Sequence, residues 1–251
     1  MKRNFIEIGS KTAKDGFENE KDVVNKFNNW KKDEDAQNWL QSMDYNVTEI
    51  EKVEAELIPG HHKADVQVRV WIYSKTLIGI ENISIKLVSN PRGFNQIDKR
   101  QVDKYVEMWN IPNHIAKSLK LFTGEIKPTQ LNIRDKRRLF LNEMDKVAQE
   151  SIISFFSQNK IMILTDILKG NDEFSANWFM VVWKMKNRNP EWIIRDINYV
   201  LNFFGIGDTK ITSQGSLKIG KVTMQRKGGD AGRVTSQMLQ FKINPIELFE
   251  S

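Results

Sequence analysis

Two neighbouring segments of the chain carry apolar and polar residues in strict alternation. Aliphatic side chains occupy every second position from Val66 to Ile72, and again from Ile83 to Leu87. Successive side chains of a strand point to opposite faces of a sheet, so this pattern predicts two half-buried strands, over 66–72 and 80–88. Residues 74–76 (Ser-Lys-Thr) are suited to a turn, and the two strands are therefore predicted to form a hairpin.

Apolar residues at helical spacing lie on both sides of this hairpin. Helices are predicted from about Asp15-Gly16 to Trp30, and over 35–43, 97–109, 138–158 and 193–204. Further strands are predicted over 160–164, 178–183, 222–226 and 238–243, the last with Gln240 and Lys242 pointing outward. The pattern as a whole indicates an α/β fold with a mixed β-sheet flanked by helices.

The stretch around Gly124 and Pro128 is the best candidate for a domain boundary. It divides the chain into residues 1–128 and 129–251, unless the two parts form one compact unit. The first part holds the candidate catalytic residues, and the second holds most residues suited to reading bases.

The composition of the 251 residues narrows the function only slightly. Lys and Arg number 38 against 32 Asp and Glu, and a net charge of +6 favours a polyanionic partner. The lack of cysteine excludes disulfides and cysteine zinc sites. No apolar run approaches the length of a membrane helix, and the first residues lack the apolar core of a signal peptide. We therefore expect a cytoplasmic protein that does not associate with membranes.

The predicted hairpin carries residues that suit phosphodiester hydrolysis, which needs a hard cation held by oxygens and a positive group near the phosphate. Asp65 begins one strand, while Ser84 and Lys86 share a face of the next. The main-chain carbonyl of Ile85 is a further candidate ligand. Glu20 adds a carboxylate if its helix packs on this sheet. The sequence thus predicts a metal site formed by Asp65, Ser84 and Ile85, with Lys86 beside it.

Asp65, followed on the next strand by Ser-x-Lys, resembles the pattern of the PD-(D/E)xK nucleases, which is an acidic residue, a gap and then acid-x-Lys, although so short a pattern also arises by chance. A longer resemblance extends in order from residue 9 to the C-terminus. Eight segments resemble the restriction endonuclease family of HinP-one-I, which cuts GCGC, and MspI: residues 9–17, 19–22, 86–90, 92–99, 135–138, 164–168, 225–230 and 238–243.

The resemblance implies a type II restriction endonuclease of about this length, with a restriction-endonuclease-like fold and one catalytic centre per chain. It implies Mg²⁺ as the cofactor, with Mn²⁺ as a substitute, and double-stranded DNA as the substrate, with GCGC as the favoured site. A monomer or weak dimer and a cognate DNA methyltransferase in the same system are expected. Cleavage would leave 5′-phosphate and 3′-hydroxyl ends.

The resemblance also assigns roles within the hairpin. By position, Asp65 matches the family's metal-binding acid and Lys86 its catalytic lysine. Ser84 departs from the family, which carries Gln or Glu there, and a neutral hydroxyl is a poorer metal ligand. Slower cleavage or a preference for Mn²⁺ is therefore expected, and a chain that no longer cuts is the alternative.

Three segments are candidates for contact with DNA. The residues are Phe94, Asn95 and Gln96 in a loop after the catalytic strand, Lys136, Arg137 and Arg138 in a basic cluster, and Gln225, Arg226, Lys227, Gly228, Gly229, Asp230, Arg233 and Gln240 near the C-terminus. Arg and Lys donate to guanine and Asp accepts from cytosine, as a G·C site requires. Phe94 and Gln96 are predicted to insert into the base stack, with Phe94 alternatively anchoring its loop in the core.

Other interpretations of the chain stay open. His61 and His62 precede Asp65 and would suit a metal site, although an ordinary surface loop is favoured. The chain could also be a PD-(D/E)xK nickase of DNA repair. A DNA-binding protein with a decayed nuclease site, marked by Ser84, is the non-enzymatic alternative.

Overall fold

The computed structural model of the protein describes residues 5–60, 62–73, 78–90, 93–186, 188–228 and 234–250, and the side chains of these residues other than 5–13, 78 and 234. The helices are α1 (Phe5–Asn28), α2 (Glu34–Ser42), α3 (Val102–Trp109), α4 (Asn113–Thr123), α5 (Lys146–Gln158), α6 (Lys160–Leu164) and α7 (Ile197–Gly205). The strands are β1 (Ile50–Leu57), β2 (Val66–Ile72), β3 (Ile78–Val88), β4 (Asn95–Arg100), β5 (Trp178–Trp183), β6 (Glu191–Asp196), β7 (Thr209–Ile211), β8 (Leu217–Ile219), β9 (Val222–Arg226) and β10 (Leu239–Ile243). Among the described helices, none combines the length and the apolar character needed to cross a membrane.

The described strands form two five-stranded sheets, each in its own compact unit. The first unit comprises residues 1–93, 168–201 and 244–251, and the second comprises residues 94–167 and 202–243. Each unit is therefore assembled from separate stretches of sequence, and residue 128 lies inside the second unit. The assignment of catalysis to residues 1–128 and of base recognition to residues 129–251 stays a prediction.

The sheet of the first unit is mixed, and it confirms the predicted fold class. Its strand order is β1-β2-β3-β5-β6, in which only β3 and β5 pair in parallel. Helix α1 packs on this sheet, and its Val23 and Phe27 are fully buried in the core. Burial of these apolar faces supplies most of the favourable free energy of such a unit.

The predicted hairpin forms as the alternation indicated. Val66 of β2 pairs with Ile83 of β3, and the two strands run antiparallel. Val66, Val68 and Ile83 are completely buried, so the aliphatic positions face the core. A register slip of one residue would expose all of these side chains, and the alternation therefore fixes the register.

The sheet of the second unit is antiparallel, with the order β4-β10-β9-β8-β7. Its buried face packs on α3, where the Tyr105 ring contacts both Trp109 and Phe241. Two polar groups of this core are paired with carboxylates. The Tyr105 hydroxyl donates to Asp98, and Trp109 Nε1 donates to Asp166 Oδ2 at 2.8 Å.

Several predicted elements differ from the structure. Residues 160–164 are helical rather than a strand, because a short continuous apolar run has no period that separates the two. The predicted helix over 97–109 begins only at Val102, since residues 95–100 form β4. The helix predicted over 193–204 begins at Ile197. Its preceding Asp196 accepts a hydrogen bond from the Asn198 amide at 2.7 Å, an arrangement that starts helices.

The predicted starts of two other helices are also wrong. Helix α1 begins at Phe5 and continues through Asp15-Gly16, and Phe17 is half-exposed rather than on the buried face. The helix predicted over 138–158 begins only at Lys146, where Asp145 accepts a hydrogen bond from the Ala148 amide at 2.8 Å. At α5 the capping side chain of Asp145 sets the boundary.

Candidate active site

Asp65 and Lys86 lie side by side at one end of the β2-β3 hairpin. The Asp65 amide donates to the Ile83 carbonyl at 2.8 Å, which fixes Asp65 directly before β2. Its Oδ2 atom accepts a hydrogen bond from the Ile85 amide at 2.6 Å and lies 3.4 Å from Lys86 Nζ. The carboxylate and the ammonium group therefore meet on the same side of the sheet.

The Lys86 ammonium group lies among three oxygens from neighbouring residues. Lys86 Nζ donates to the Ile85 carbonyl at 2.8 Å and to Ser84 Oγ at 3.1 Å, besides its contact with Asp65 Oδ2. Ser84 is almost completely buried, and the Lys86 ammonium lies 5.8 Å from the centre of the Phe179 ring. The structure thus brings together Asp65, Ser84, Ile85 and Lys86, all of which were predicted for this site.

Glu20 of α1 belongs to the same electrostatic environment. Its pKa is raised from 4.5 to about 7, first by burial and then by the negative charge of Asp65, while Lys86 lowers it in part. Asn19, the preceding residue, is buried, and neither polar atom of its side chain has a hydrogen-bond partner in the described part of the chain. Two carboxyl groups and an unpaired amide therefore lie on or beside this end of the sheet.

The donor set suits a hard divalent cation. Asp65 and Glu20 offer carboxylate oxygens, Ile85 offers a carbonyl and Ser84 a hydroxyl, and such oxygens are the ligands of Mg²⁺ and similar ions. The oxygens of Asp65, Ser84 and Ile85 already surround a positive charge, that of Lys86. Within the described residues, no group of three or more His, Cys, Asp or Glu side chains is close enough to hold a metal ion. The site is therefore poor in carboxylates, as the serine at position 84 implied.

The His61-His62 alternative is only partly described, because His61 lies outside the described residues. His62 Nδ1 lies 3.0 Å from Asp172 Oδ2, and its ring packs edge-on against Phe174. These contacts favour an ordinary surface loop over a metal site for His62.

In the second unit, the basic cluster and the C-terminal segment meet at Asp135. Arg137 donates to both Asp135 carboxylate oxygens at 2.9 Å, and Arg138 Nε lies 3.7 Å from Oδ2. Arg226 Nη1 lies 4.0 Å from the same Oδ2, and Arg226 Nε donates to the Ser236 carbonyl at 2.9 Å. Asp135, which was not predicted as a site residue, thus joins three predicted arginines, and hydrogen bonds from Arg137 lower its pKa to about 2.

The positive charges of the cluster outnumber the negative charge of Asp135. Burial lowers the pKa of Arg138 and of Arg226, and each is lowered further by a neighbouring guanidinium group. Arg138 Nε has no hydrogen-bond partner among the described residues. The guanidinium groups of Arg138 and Arg134 lie over the Phe140 ring at 4.2 Å and 4.1 Å. Lys136 and Arg137 are exposed, so the outer part of the cluster is open to an anion.

The remaining candidates for DNA contact are divided between strands β4, β9 and β10. Gln225 pairs with Gln240 across β9 and β10, and Gln240 Nε2 donates to Gln96 Oε1 at 2.6 Å. Gln240 was predicted to point outward, yet it is 7% exposed because Gln96 covers it. Lys227 and Gly228 follow β9, while Gly229, Asp230 and Arg233 lie outside the described residues.

The predicted loop after the catalytic strand is shorter than expected. Asn95 and Gln96 belong to β4, where they pair with Ile243 and Lys242. They were read as loop residues because Pro91 and Gly93 precede them. Phe94 is 49% exposed, so the alternative in which it anchors the loop in the core is wrong.

Known proteins identify the chain. A solved structure of the restriction endonuclease MspI in complex with its cognate DNA has the same fold: it is 11% identical, the match covers 94% of this chain and 92% of that chain, and the TM-score is 0.67. No match is found among curated proteins. The family model described as R.HinP1I restriction endonuclease matches residues 43–249, which include Asp65, Ser84 and Lys86. The chain therefore belongs to the R.HinP1I restriction endonuclease family, and it is a type II site-specific endonuclease.

Proposed function

We propose that the chain hydrolyses double-stranded DNA at GCGC, or at another short G·C site, with Mg²⁺ as its preferred physiological ion. The observation that carries this proposal is the position of the Lys86 ammonium group 3.4 Å from Asp65 Oδ2, on a chain of a restriction endonuclease family. Divalent metal use is general in that family. The cell's own DNA then needs protection, so we also propose a methyltransferase of the same specificity as a partner.

The residues at the end of the hairpin are assigned different chemical roles. Asp65, the Ile85 carbonyl and Glu20 would hold the ion, with Ser84 as a weak additional donor. When bound, the ion polarises the phosphate and lowers the pKa of a water molecule. Lys86 contributes a fixed positive charge that orients the attacking water and offsets negative charge on the phosphate. Phe179 packs beside Lys86 and restricts the positions of its side chain.

Ser84 gives the site a specific weakness. A neutral hydroxyl attracts the ion less than a Glu carboxylate does, and the burial of Ser84 leaves little room for a bulky replacement. We therefore propose slower turnover than a site with an acid at this position, and a larger gain from Mn²⁺. The ratio of cleavage rates in Mn²⁺ and Mg²⁺ measures this property directly.

Specificity is assigned to the second unit and the segment after β9. Arg226, Lys227 and Gln225 offer donors, and Asp230 offers an acceptor for cytosine. The buried contacts of Arg226 with Ser236 and Asp135 hold its guanidinium in one orientation, as base recognition requires. Phe94 and Gln96 are proposed to enter the base stack, and the exposure of Phe94 supports this role.

The test combines a plasmid digest with one variant. Wild-type protein is incubated with unmodified plasmid in Mg²⁺ and in Mn²⁺, and the fragment ends are sequenced. Ends that share one G·C tetranucleotide support the proposal. Nicking that depends on DNA structure would indicate a repair enzyme, and binding without any cleavage would indicate a decayed site.

Lys86→Ala should keep DNA binding in a gel-shift assay and lose cleavage, because the charge beside Asp65 is removed. Lys32→Ala is the matched control, since Lys32 is exposed in the same unit. Equal loss of binding and cleavage in Lys86→Ala would contradict a catalytic role for this lysine.

A further inference from the structure

The second sheet has one apolar face and one polar face. On the first face, Leu217, Met224 and Phe241 are completely buried in the core of the second unit. The residues between them along the strands point to the opposite face. These residues are lysine, threonine and glutamine, and they form a pattern across the strands that the sequence does not reveal.

The strand registers place five polar residues opposite one another in one row across the whole sheet. Lys210 of β7 is opposite Lys218 of β8, and Lys218 is opposite Thr223 of β9. Thr223 is opposite Lys242 of β10, and Lys242 is opposite Gln96 of β4. Neighbouring strands lie about 4.8 Å apart, so the transverse row (Lys210, Lys218, Thr223, Lys242 and Gln96) spans roughly 19 Å.

The transverse row carries three positive charges and no negative charge. Lys210 and Lys218 are directly opposite each other, an arrangement that destabilises a sheet through repulsion. In the described part of the chain, none of the three lysines contacts a carboxylate. Lys242 is half-buried, and burial is the sole cause that lowers its pKa. An unpaired, partly desolvated ammonium group is stabilised when an anion binds it.

We propose that the transverse row is a contact surface for the sugar-phosphate backbone of duplex DNA. This inference rests on the proposed function and adds Lys210, Lys218, Thr223 and Lys242 to the residues that contact the substrate. Lysines neutralise phosphates and release counterions, and the hydroxyl of Thr223 donates a hydrogen bond to a phosphate oxygen.

The neighbouring residues favour DNA as the occupant. Gln225 and Gln240 form a pair two residues along the same two strands, separated from the row by a single buried residue on each. They lie on the same polar face, and Gln225 is proposed to contact bases. A duplex held by the lysines would therefore lie next to amide side chains, so phosphate contacts and base contacts would come from one sheet.

The experiment measures DNA binding as a function of salt concentration. Lys218→Gln, Lys242→Gln and the double variant are compared with wild-type protein by fluorescence anisotropy. Two duplexes are used, one containing the cleavage site and one lacking it, with Ca²⁺ in place of Mg²⁺. Lys117→Gln, an exposed lysine on α4 of the same unit, is the matched control. Thermal unfolding checks that each variant is folded, and Lys218→Arg should retain binding.

Each lysine that contacts a phosphate should lower the slope of log affinity against log salt by about 0.9. At about 0.1 M salt this corresponds to a loss of affinity of about eightfold for each lysine, and the loss should be equal for both duplexes. Unchanged slopes in the double variant, or a loss confined to the duplex with the cleavage site, would overturn the inference and leave the proposed function intact. Wild-type protein that binds neither duplex would overturn both.

Discussion

The raised pKa of Glu20 should make the stability of the protein depend on pH. Burial and the charge of Asp65 raise its pKa to about 7, whereas the ordinary value is 4.5. Below pH 4.5, Glu20 is protonated in the folded and the unfolded protein. As the pH rises from 4.5 to about 7, the unfolded chain releases this proton while the folded protein keeps it. The folded state therefore loses stability over this range, and the loss is complete above the folded pKa.

The size of this loss follows from the pKa difference. A difference of about 2.5 pH units corresponds to an upper value of about 3.4 kcal/mol. Glu20 is only half-buried, so solvent screening reduces this value, and we expect about 1–2 kcal/mol in the metal-free protein. Glu20→Gln removes the charge at every pH. It should therefore be more stable than wild-type protein by this amount near pH 8, with a much smaller difference near pH 5.

The assay is urea unfolding in EDTA near pH 5 and near pH 8, for wild-type protein, Glu20→Gln and the control Glu150→Gln. Glu150 is an exposed residue of α5, and its replacement controls for the loss of one carboxylate. Adding Mn²⁺ at pH 8 should stabilise wild-type protein more than Glu20→Gln, because a bound cation relieves the repulsion between Glu20 and Asp65. The reasoning is refuted if Glu20→Gln and wild-type protein differ by the same free energy at both pH values.

Three further substitutions test other parts of the structure. A Cβ atom at Gly79 would overlap the Tyr45 hydroxyl, so Gly79→Ala should lower the free energy of unfolding in urea by about 1–3 kcal/mol. The loss should be smaller in a Tyr45→Phe background, and an equal loss in both backgrounds would contradict this contact. Tyr105→Phe removes a buried hydrogen bond to Asp98 and should cost about 1.5–3 kcal/mol, whereas a neutral result would show that the bond contributes nothing net. Asp135→Asn should reduce discrimination between the cleavage site and single-base variants by about 1–3 kcal/mol without weakening non-specific binding, and unchanged cleavage ratios would exclude an orienting role.

Local alternation is why the hairpin and its chemical groups could be predicted. Asp65 directly precedes β2 and Lys86 lies in β3, and one short connection joins these strands, so the pattern of each strand is enough to place both side chains at one end of the pair. Glu20 is different, because its proximity to Asp65 depends on how α1 packs against the sheet. The sequence indicated that Glu20 could join the site only if α1 packs on this sheet. The structure shows this packing, and the charge of Asp65 contributes to the raised pKa of Glu20.

Strand β1 was not predicted, although its sequence has an alternating pattern. Val53, Ala55 and Leu57 alternate with glutamates, yet no strand was predicted between 50 and 57. The pairing with β2 shifts between Ile50 and Lys52, so the alternation begins only after this irregularity. Strand β1 lies at the edge of its sheet, where charged side chains protect against pairing with other chains.

Contacts between residues far apart in the sequence could not be predicted from the sequence. Arg226 reaches Asp135 across most of the second unit's sequence, and nothing local to either residue indicates the pair. The transverse row has the same origin. Alternation shows that Lys218 and Lys242 point away from a buried face, but only the registers of three strand pairs place Lys210, Lys218 and Lys242 on one line. A shift of two residues in any pair would keep every side chain on its own face and still break the line. The charge pattern therefore depends on register, which is why its contribution to DNA binding is measured with substitutions at separate strands.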